Sequence, residues 1–363
     1  MRKNFASDNN SGITPESLAA IAEANGGHSP AYGDDEWTKR ACATIRDVFE
    51  TDCEVFFAFN GTASNSLALA HLCRSFHSVI CHSAAHIETD ECGGPEFFSN
   101  GSKLLIADGK EGKVFPSEVR RLVHYRQDIH YPRPHVLSLT QATELGTVYG
   151  IAELQELGAL ARDLGLKVHM DGARFSNALA SLRCSPKEIT WQAGVDVLCL
   201  GGTKNGMLAS EAVVFFDKEV AAEFDYRCKQ AGQLASKMRF LAAPWCAMLR
   251  DGTWLRYAAN ANRMAALLAS HLRTIEGITF LYEPQVNSAF VNLPPGVALQ
   301  LRTLGWSFYE FIGNGGVRLM CSWDTEEEDV LCFVKDLKKI VAEVRRGGAP
   351  SAVHGAHCLE VDR

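Results

Sequence analysis

Two short segments of the chain hold a carboxylate and an amine, each placed just after an apolar run. Asp171 follows the apolar residues of 167–170, and Lys204 stands among glycines in 201–206, after the apolar run 195–200. A lysine is costly to bury unless it is paired or reacts. A lysine that forms a Schiff base and a carboxylate that pairs with the pyridinium nitrogen are what pyridoxal 5'-phosphate (PLP) chemistry requires. The alternatives are a solvated loop lysine and a helix N-cap.

A third segment, Asn-Gly-Thr-Ala-Ser-Asn at 60–65, connects a predicted strand to a predicted helix. The backbone N–H groups of that helix start, together with the hydroxyls of Thr62 and Ser64, would form a phosphate cradle. The alternative is an ordinary N-cap, which Thr, Ser and Asn all provide. The position of this segment upstream of Asp171 and Lys204 favours the cradle.

Four further residues have types that suit a site for an amino acid. Arg174 follows Asp171 closely and could reach the cofactor phenolate or a substrate carboxylate, unless it is a surface arginine. His86 ends a predicted strand and could stack on the cofactor ring or transfer a proton, and His130 carries the same ambiguity in a proline-containing loop. Arg318 lies in an apolar strand and needs an anionic partner, either a substrate carboxylate or a structural salt bridge.

The elements that position these residues alternate along the chain. The predicted strands are 54–59, 78–81, 103–106, 134–139, 167–170, 195–200 and 211–216, and the predicted helices between and before them are 18–24, 36–49, 64–73 and 151–164. This alternation predicts an α/β fold with a mostly parallel sheet and helices on both faces. Ligands of such sheets bind beyond the carboxyl ends of the strands, which is where the candidate residues fall.

The pattern changes after about residue 245. A long amphipathic helix over 253–275 is followed by short strands and a final helix over 326–346. We therefore predict a large domain over 1–245, a small C-terminal α+β domain over 246–346, and a disordered tail over 347–363 that is rich in Gly, Ala, Ser and His.

The composition of the chain excludes several classes of protein. Of its 363 residues, 47% are hydrophobic, which is enough for a large core, and the length suits two domains. The net charge of −7 and the lack of a basic stripe argue against a nucleic-acid partner. No apolar run reaches the roughly 18 residues of a membrane span, and the N-terminus lacks a signal peptide. The 12 cysteines form no Cys-x-x-Cys pair, which favours reduced thiols in a cytoplasmic protein without a metal site.

These segments together resemble the L-threonine aldolase family of low-specificity type, within the fold-type-I PLP-dependent enzymes that include aspartate aminotransferase. The resemblance spans roughly residues 4–345 and is carried by the ordered set 7–8, 33–35, 60–62, 85–86, 128–130, 169–174, 203–204, 237–239 and 317–319. It implies a mostly parallel seven-stranded sheet in the large domain. Many relatives carry Glu-Asn-Thr-His-Asn where this chain has Thr-Gln-Ala-Thr-Glu at 140–144, a difference that leaves the contacts of this loop open.

The resemblance also implies a role for each candidate residue. Lys204 would form the Schiff base, Asp171 would hold the pyridinium, and His86 would stack on the ring. The phosphate would be bound by Gly61, Thr62 and Ala63, with Lys237 or Arg239 of a neighbouring subunit. The substrate carboxylate would be bound by Ser7, Arg174 and Arg318. His130 would lie near the substrate β-hydroxyl, and the base that deprotonates this hydroxyl could be His130, His86 or an ordered water.

The implied reaction is a reversible retro-aldol cleavage of β-hydroxy-α-amino acids to glycine and an aldehyde. L-Threonine, L-allo-threonine and phenylserine are all plausible substrates. The family also implies a homotetramer, a dimer of dimers, in the cytoplasm. One alternative is a β-eliminating lyase or aminotransferase on the same fold. Another is a PLP-binding protein that does not catalyse a reaction.

Overall fold

A computed structural model describes residues 4–311 and 316–346, so the predicted disordered tail at 347–363 lies outside the described residues. The strands are β1 (Glu54–Ala58), β2 (His77–His82), β3 (Lys103–Ala107), β4 (Gly109–Lys110), β5 (Lys113–Val114), β6 (Arg133–Thr140), β7 (Lys167–Gly172), β8 (Val197–Gly201), β9 (Glu211–Phe215), β10 (Thr279–Phe280), β11 (Ser288–Asn292), β12 (Tyr309–Phe311) and β13 (Gly316–Met320).

The helices lie before, between and after these strands. They are α1 (Pro15–Ala24), α2 (Glu36–Phe49), α3 (Gly61–Leu72), α4 (His86–Thr89), α5 (Gly94–Phe98), α6 (Pro116–Tyr125), α7 (Ile151–Asp163), α8 (Phe175–Leu182), α9 (Phe224–Gln230), α10 (Arg239–Met248), α11 (Thr253–Leu272), α12 (Val297–Thr303) and α13 (Glu327–Arg345). Short 3₁₀ turns, including Thr203–Asn205 directly after β8, complete the chain.

The large sheet has seven strands in the order β1-β9-β8-β7-β6-β2-β3. Strands β3, β2, β6, β7 and β8 are parallel, and β9 runs antiparallel to both of its neighbours. The predicted mostly parallel seven-stranded sheet is therefore confirmed. Because β9 is reversed, its first residue, Glu211, lies opposite Ala58 and Gly201, the last residues of β1 and β8.

Both faces of this sheet are covered, as the apolar runs of its strands require. Leu198 and Leu200 of β8 belong to a core formed with α2 and α7, whereas Val197 and Cys199 belong to a core formed with α3. Successive side chains of a strand point to opposite faces, so one apolar run supplies both cores.

A second, four-stranded antiparallel sheet has the order β10-β11-β13-β12. Its core contains residues of α11 and α13 and also Phe5, whose backbone oxygen accepts a hydrogen bond of 2.8 Å from the Met320 amide. The N-terminal segment is thus built into the C-terminal sheet. The predicted domain boundary near residue 245 stays a prediction. No helix in the described part of the chain is long and apolar enough to cross a membrane.

Candidate active site

Asp171 is placed at the carboxyl end of β7, with only 5% of its surface exposed. Its Oδ1 accepts a hydrogen bond of 2.9 Å from the Ala173 amide, and its Oδ2 accepts one of 2.9 Å from Asn65 Nδ2. Burial alone would raise the pKa of Asp171. The charge of His86 and these hydrogen bonds outweigh burial and hold the pKa below its usual range. Asp171 is therefore an ionised buried carboxylate.

Lys204 lies in the turn that follows β8, the strand that neighbours β7 in the sheet. The side chain is half-buried and makes no hydrogen bond or ion pair with any residue that the structure describes. Burial, followed by the charge of Arg174, lowers the pKa of Lys204, whereas Asp8 and Asp171 oppose this shift. A lysine with a lowered pKa presents more of its neutral amine, which is the nucleophilic form.

The backbone of the two glycines before Lys204 is fixed by a close contact with Ala173 and by a hydrogen bond to Glu211. A Cβ added to Gly201 would lie 2.4 Å from the Ala173 backbone oxygen, so β8 and the turn after β7 approach closely because residue 201 is glycine. On the other side, the Gly202 amide donates a hydrogen bond of 2.9 Å to Glu211 Oε2. Glu211 is buried, and burial raises its pKa to about 7. The sequence analysis missed Glu211, because no local pattern shows that β9 is reversed.

His86 begins α4, after β2 and its turn, and its backbone amide donates a hydrogen bond of 2.7 Å to Glu144 Oε1. The same carboxylate oxygen accepts a hydrogen bond of 3.0 Å from Thr140 Oγ1. Burial and the nearby Asp171 raise the pKa of Glu144 to about 7. The loop whose sequence differs from that of many relatives therefore supplies the carboxyl group that fixes the backbone of His86.

The predicted phosphate cradle lies at the start of α3, which begins at Gly61 and thus three residues earlier than expected. Asn60 is the N-cap, and its Oδ1 accepts a hydrogen bond of 2.9 Å from the Ala63 amide. The Ala63 amide is therefore already used, whereas the amides of Gly61 and Thr62 belong to the first turn, where a helix has no internal acceptors. The N-terminus of this 12-residue helix is suited to an anion.

The three residues predicted to bind a carboxylate come together around the N-terminal segment. Arg174 forms a bidentate ion pair with Asp8, with N–O distances of 2.7 and 2.9 Å, and Arg318 Nη2 donates to the Ala6 oxygen at 3.0 Å. Ser7 lies between Ala6 and Asp8, and its Oγ accepts a hydrogen bond of 3.2 Å from the Asn9 amide. Arg318 Nε is buried and has no hydrogen-bond partner among the described residues.

The ion pair changes the role expected of Arg174. Its Nε and Nη2 edge is occupied by Asp8, so a substrate carboxylate would have to bind at Nη1. Asp8 outweighs burial and raises the pKa of Arg174 above its usual range, whereas burial and the charge of Arg174 lower the pKa of Arg318 to about 10. The segment 7–8 belongs to the family pattern, but the sequence alone assigns no role to Asp8.

The role predicted for His130 stays a prediction, because within a single chain this residue lies far from Lys204. His130 is exposed in the loop that precedes β6, whereas Thr140 at the other end of this strand lies on the edge of the sheet that holds Asp171. An eight-residue strand spans roughly 25 Å, so His130 cannot reach a substrate at Lys204 of its own chain. Lys237 is exposed and Arg239 begins α10. Among the described residues, neither forms a hydrogen bond with Gly61 or Thr62.

Comparisons with known proteins show the family of this chain. A family model described as beta-eliminating lyase matches residues 4–294. A low specificity L-threonine aldolase of Pseudomonas aeruginosa is 60% identical over 339 residues, which cover 93% of this chain and 98% of that protein. Another, from a Pseudomonas species, is 58% identical and covers 94% of this chain and 98% of its own length.

Solved structures are similar along nearly the whole chain. The threonine aldolase of Leishmania major has a TM-score of 0.88 at 28% identity and covers 93% of this chain and 99% of its own. A sphingosine-1-phosphate lyase of Burkholderia pseudomallei has a TM-score of 0.71 at 17% identity and covers 95% of this chain and 87% of its own, a likeness that shows the fold alone.

Proposed function

Because the chain belongs to the beta-eliminating lyase family, and within it to the low-specificity L-threonine aldolases, we propose that it cleaves L-threonine and related β-hydroxy-α-amino acids to glycine and an aldehyde. The observation that carries this proposal is that Asp171 ends β7 and Lys204 follows β8, two neighbouring parallel strands, so both residues lie at one edge of the sheet. An amine without a partner in the described chain and an ionised acid interact electrostatically there. L-allo-Threonine and phenylserine belong to the same substrate class.

Membership of this family implies dependence on PLP, and the described residues fit that cofactor. Lys204 offers the amine, Asp171 offers the carboxylate for the pyridinium nitrogen, and the amides of Gly61 and Thr62 at the start of α3 offer a phosphate site. When bound, PLP supplies an aldehyde for the lysine and a ring that accepts the electrons released as Cα–Cβ breaks. Lys237 or Arg239 of a neighbouring subunit would complete the phosphate site in a homotetramer.

The carboxylate of the substrate would be held by Arg174 Nη1, Arg318 and Ser7. Asp8 fixes the plane of the Arg174 guanidinium, and the Ala6 oxygen fixes Arg318. Clamping the carboxylate sets the direction of the Cα–Cβ bond, and such orientation is worth several kcal/mol of the activation barrier.

The β-hydroxyl of the substrate must lose a proton before the aldehyde leaves. Of the two histidines considered, only His86 lies at the same edge of the sheet as Asp171 and Lys204 in a single chain. We assign the proton transfer to its Nε2, which has no hydrogen-bond partner among the described residues. General acid–base catalysis of this kind typically contributes about 10²–10⁴-fold to the rate.

The test is incubation of the purified protein with L-threonine and PLP, followed by assays for four products. Acetaldehyde and glycine in equal amounts are expected. A keto acid with ammonia and no aldehyde would instead show β-elimination, the reaction after which the matching family model is named. A visible absorbance band of a lysine–PLP adduct in the purified protein tests the cofactor separately.

A further inference from the structure

The segment that follows His86 holds three acidic residues, Glu88, Asp90 and Glu91. Glu88 and Asp90 are exposed, as expected for a solvated turn. Glu91 differs, since its residue surface is only 4% exposed and its side chain is fully buried. A buried carboxylate is costly unless it is paired, so Glu91 requires a structural or chemical reason.

Glu91 is the centre of a continuous chain of hydrogen bonds. Its Oε1 lies 2.9 Å from His86 Nδ1 and accepts a second hydrogen bond, of 2.8 Å, from Asn65 Nδ2. The same Asn65 nitrogen donates to Asp171 Oδ2 at 2.9 Å. These hydrogen bonds connect His86, which is predicted to stack on the cofactor ring, to Asp171, which is predicted to hold the ring nitrogen.

We propose that Glu91 is a positioning residue for His86, which it holds in the tautomer that carries the proton on Nδ1 and presents an unprotonated Nε2 to the substrate. In the same network, Asn65 ties Glu91 to Asp171. The inference rests on the proposed function in one respect, namely that His86 Nε2 accepts the β-hydroxyl proton.

The chemistry of the two partners supports this assignment. An ionised carboxylate can only accept hydrogen bonds, so the proton between Glu91 and His86 belongs to Nδ1. Which nitrogen of an imidazole is protonated is set by the bond that the other nitrogen makes. The side chain of His86 is 36% exposed, and its Nε2 has no partner in the described chain. The imidazole is therefore anchored on its buried side and accessible on the other.

The acidic groups around His86 raise its pKa. The hydrogen bond to Glu91 raises the pKa of His86 in spite of burial, and Asp171 raises it further, whereas Lys204 lowers it. Glu144 holds the backbone amide of His86 and is the remaining acidic group beside it. Burial raises the pKa of Glu91 itself, and its bonds to His86 and Asn65 oppose this rise. The carboxylate that anchors the imidazole therefore also makes it a stronger base.

The experiment separates the charge of Glu91 from its ability to accept a hydrogen bond. Glu91→Gln removes the charge and keeps an acceptor, Glu91→Leu removes both at similar volume, and Glu88→Gln is the matched control on an exposed acid of the same segment. Histidine ¹⁵N chemical shifts of the PLP-loaded protein report the tautomer and pKa of His86. The pH dependence of kcat/KM with L-threonine reports the base during turnover.

For Glu91→Gln we expect the pKa of His86 to fall by about one unit or more, as for loss of a neighbouring opposite charge. The acid limb of kcat/KM should move to lower pH by the same amount. For Glu91→Leu we expect loss of the preference for the Nδ1–H tautomer and a fall in kcat of at least about tenfold. The Glu88→Gln protein should match the wild type in the tautomer and pKa of His86 and in its kinetics.

The proposal would be overturned by a wild-type tautomer in Glu91→Leu or by an unchanged His86 pKa in Glu91→Gln. An equal effect of Glu88→Gln would also contradict it, because the shift would then be a general effect of charge. The ¹⁵N shifts are recorded without substrate, so they test the Glu91–His86 pair even if the protein cleaves no threonine. Failure of the proposed function would appear instead as the absence of aldehyde from the wild-type protein.

Discussion

Asp8 and Arg174 form a buried ion pair between residues that are 166 positions apart in the sequence. Arg174 Nε and Nη2 lie 2.7 and 2.9 Å from the two oxygens of the carboxylate. Asn287, which precedes β11 of the small sheet, donates to the same carboxylate at 3.1 Å. One acid thus joins the N-terminal segment to both sheets and sets the orientation of the arginine proposed to bind the substrate.

Replacement of Asp8 by Asn should weaken substrate binding more than it slows the chemical step. Without the carboxylate, the Arg174 guanidinium loses its fixed plane, so we expect KM for L-threonine to rise about tenfold or more with a smaller change in kcat. Loss of one partner of a buried pair should also lower the free energy of unfolding by about 3 kcal/mol. Steady-state kinetics and denaturant unfolding check both effects, with Asp163→Asn on the exposed end of α7 as the control. An unchanged KM would contradict the assignment.

Replacement of Lys204 by Ala should abolish turnover, because this is the amine assigned to the cofactor. We expect aldehyde release to fall by more than about 10³-fold and the visible band of the lysine–PLP adduct to disappear. Lys335→Ala, on the exposed face of α13, removes an equal charge away from the site and should leave both unchanged. Appreciable aldehyde release by the Lys204→Ala protein would count against the site.

Replacement of Gly201 by Ala should disturb the contact between β8 and the turn after β7. The new Cβ would lie 2.4 Å from the Ala173 oxygen and 2.7 Å from its carbonyl carbon, so the backbone before Lys204 must move. We expect a loss of about 1–3 kcal/mol in unfolding free energy and weaker PLP binding. Gly12→Ala is the control, since nothing lies within 4 Å of its new Cβ. Equal stability of the two variants, measured by denaturant unfolding, would disprove the close contact.

Replacement of Glu211 by Gln should change how stability depends on pH. The folded-state pKa of Glu211 is raised from 4.5 to about 7, so the protonated acid is favoured by folding. This stabilisation is fully present below pH 4.5 and is lost as the pH rises through 7. Glutamine stays neutral at every pH. Between pH 5 and 8 the free energy of unfolding of the variant should therefore rise relative to that of the wild type, by on the order of 3 kcal/mol.

Unfolding of the PLP-free protein at several pH values measures this gain. Glu219→Gln, an exposed acid after β9, should show the wild-type dependence on pH. A difference between Glu211→Gln and the wild type that stays constant from pH 5 to 8 would contradict the assignment.

Most of the large sheet could be predicted because its strands are continuous apolar runs bounded by polar turns. The bounds of α2 agree with the prediction, since Asp35 caps its start. The start of α3 was predicted too late because Asn60, and not a later hydroxyl residue, is the N-cap. Helix α10 was not predicted, and Pro244 within it interrupts the helical signal.

The site could be predicted where a residue lies at the carboxyl end of a buried strand, as Asp171 does, or just after it, as Lys204 does. The positions of Glu211 and Asp8 in the site could not be predicted, because they depend on how segments distant in the sequence pair. Glu211 reaches the site because β9 is reversed between β1 and β8. The remote position of His130 within one chain could not be predicted for the same reason, since a loop before a strand and a loop after it look alike in sequence but lie at opposite edges of the sheet.

The hydrogen bonds of the N-terminal segment have a consequence for biosynthesis. The Ala6 oxygen binds Arg318, 312 residues later, and the Phe5 oxygen binds the Met320 amide. On the ribosome these hydrogen bonds cannot form until β13 has left the exit tunnel. The part of the proposed site that would bind the substrate carboxylate can therefore form only after β13 has been synthesised, by which time the large sheet has had time to form.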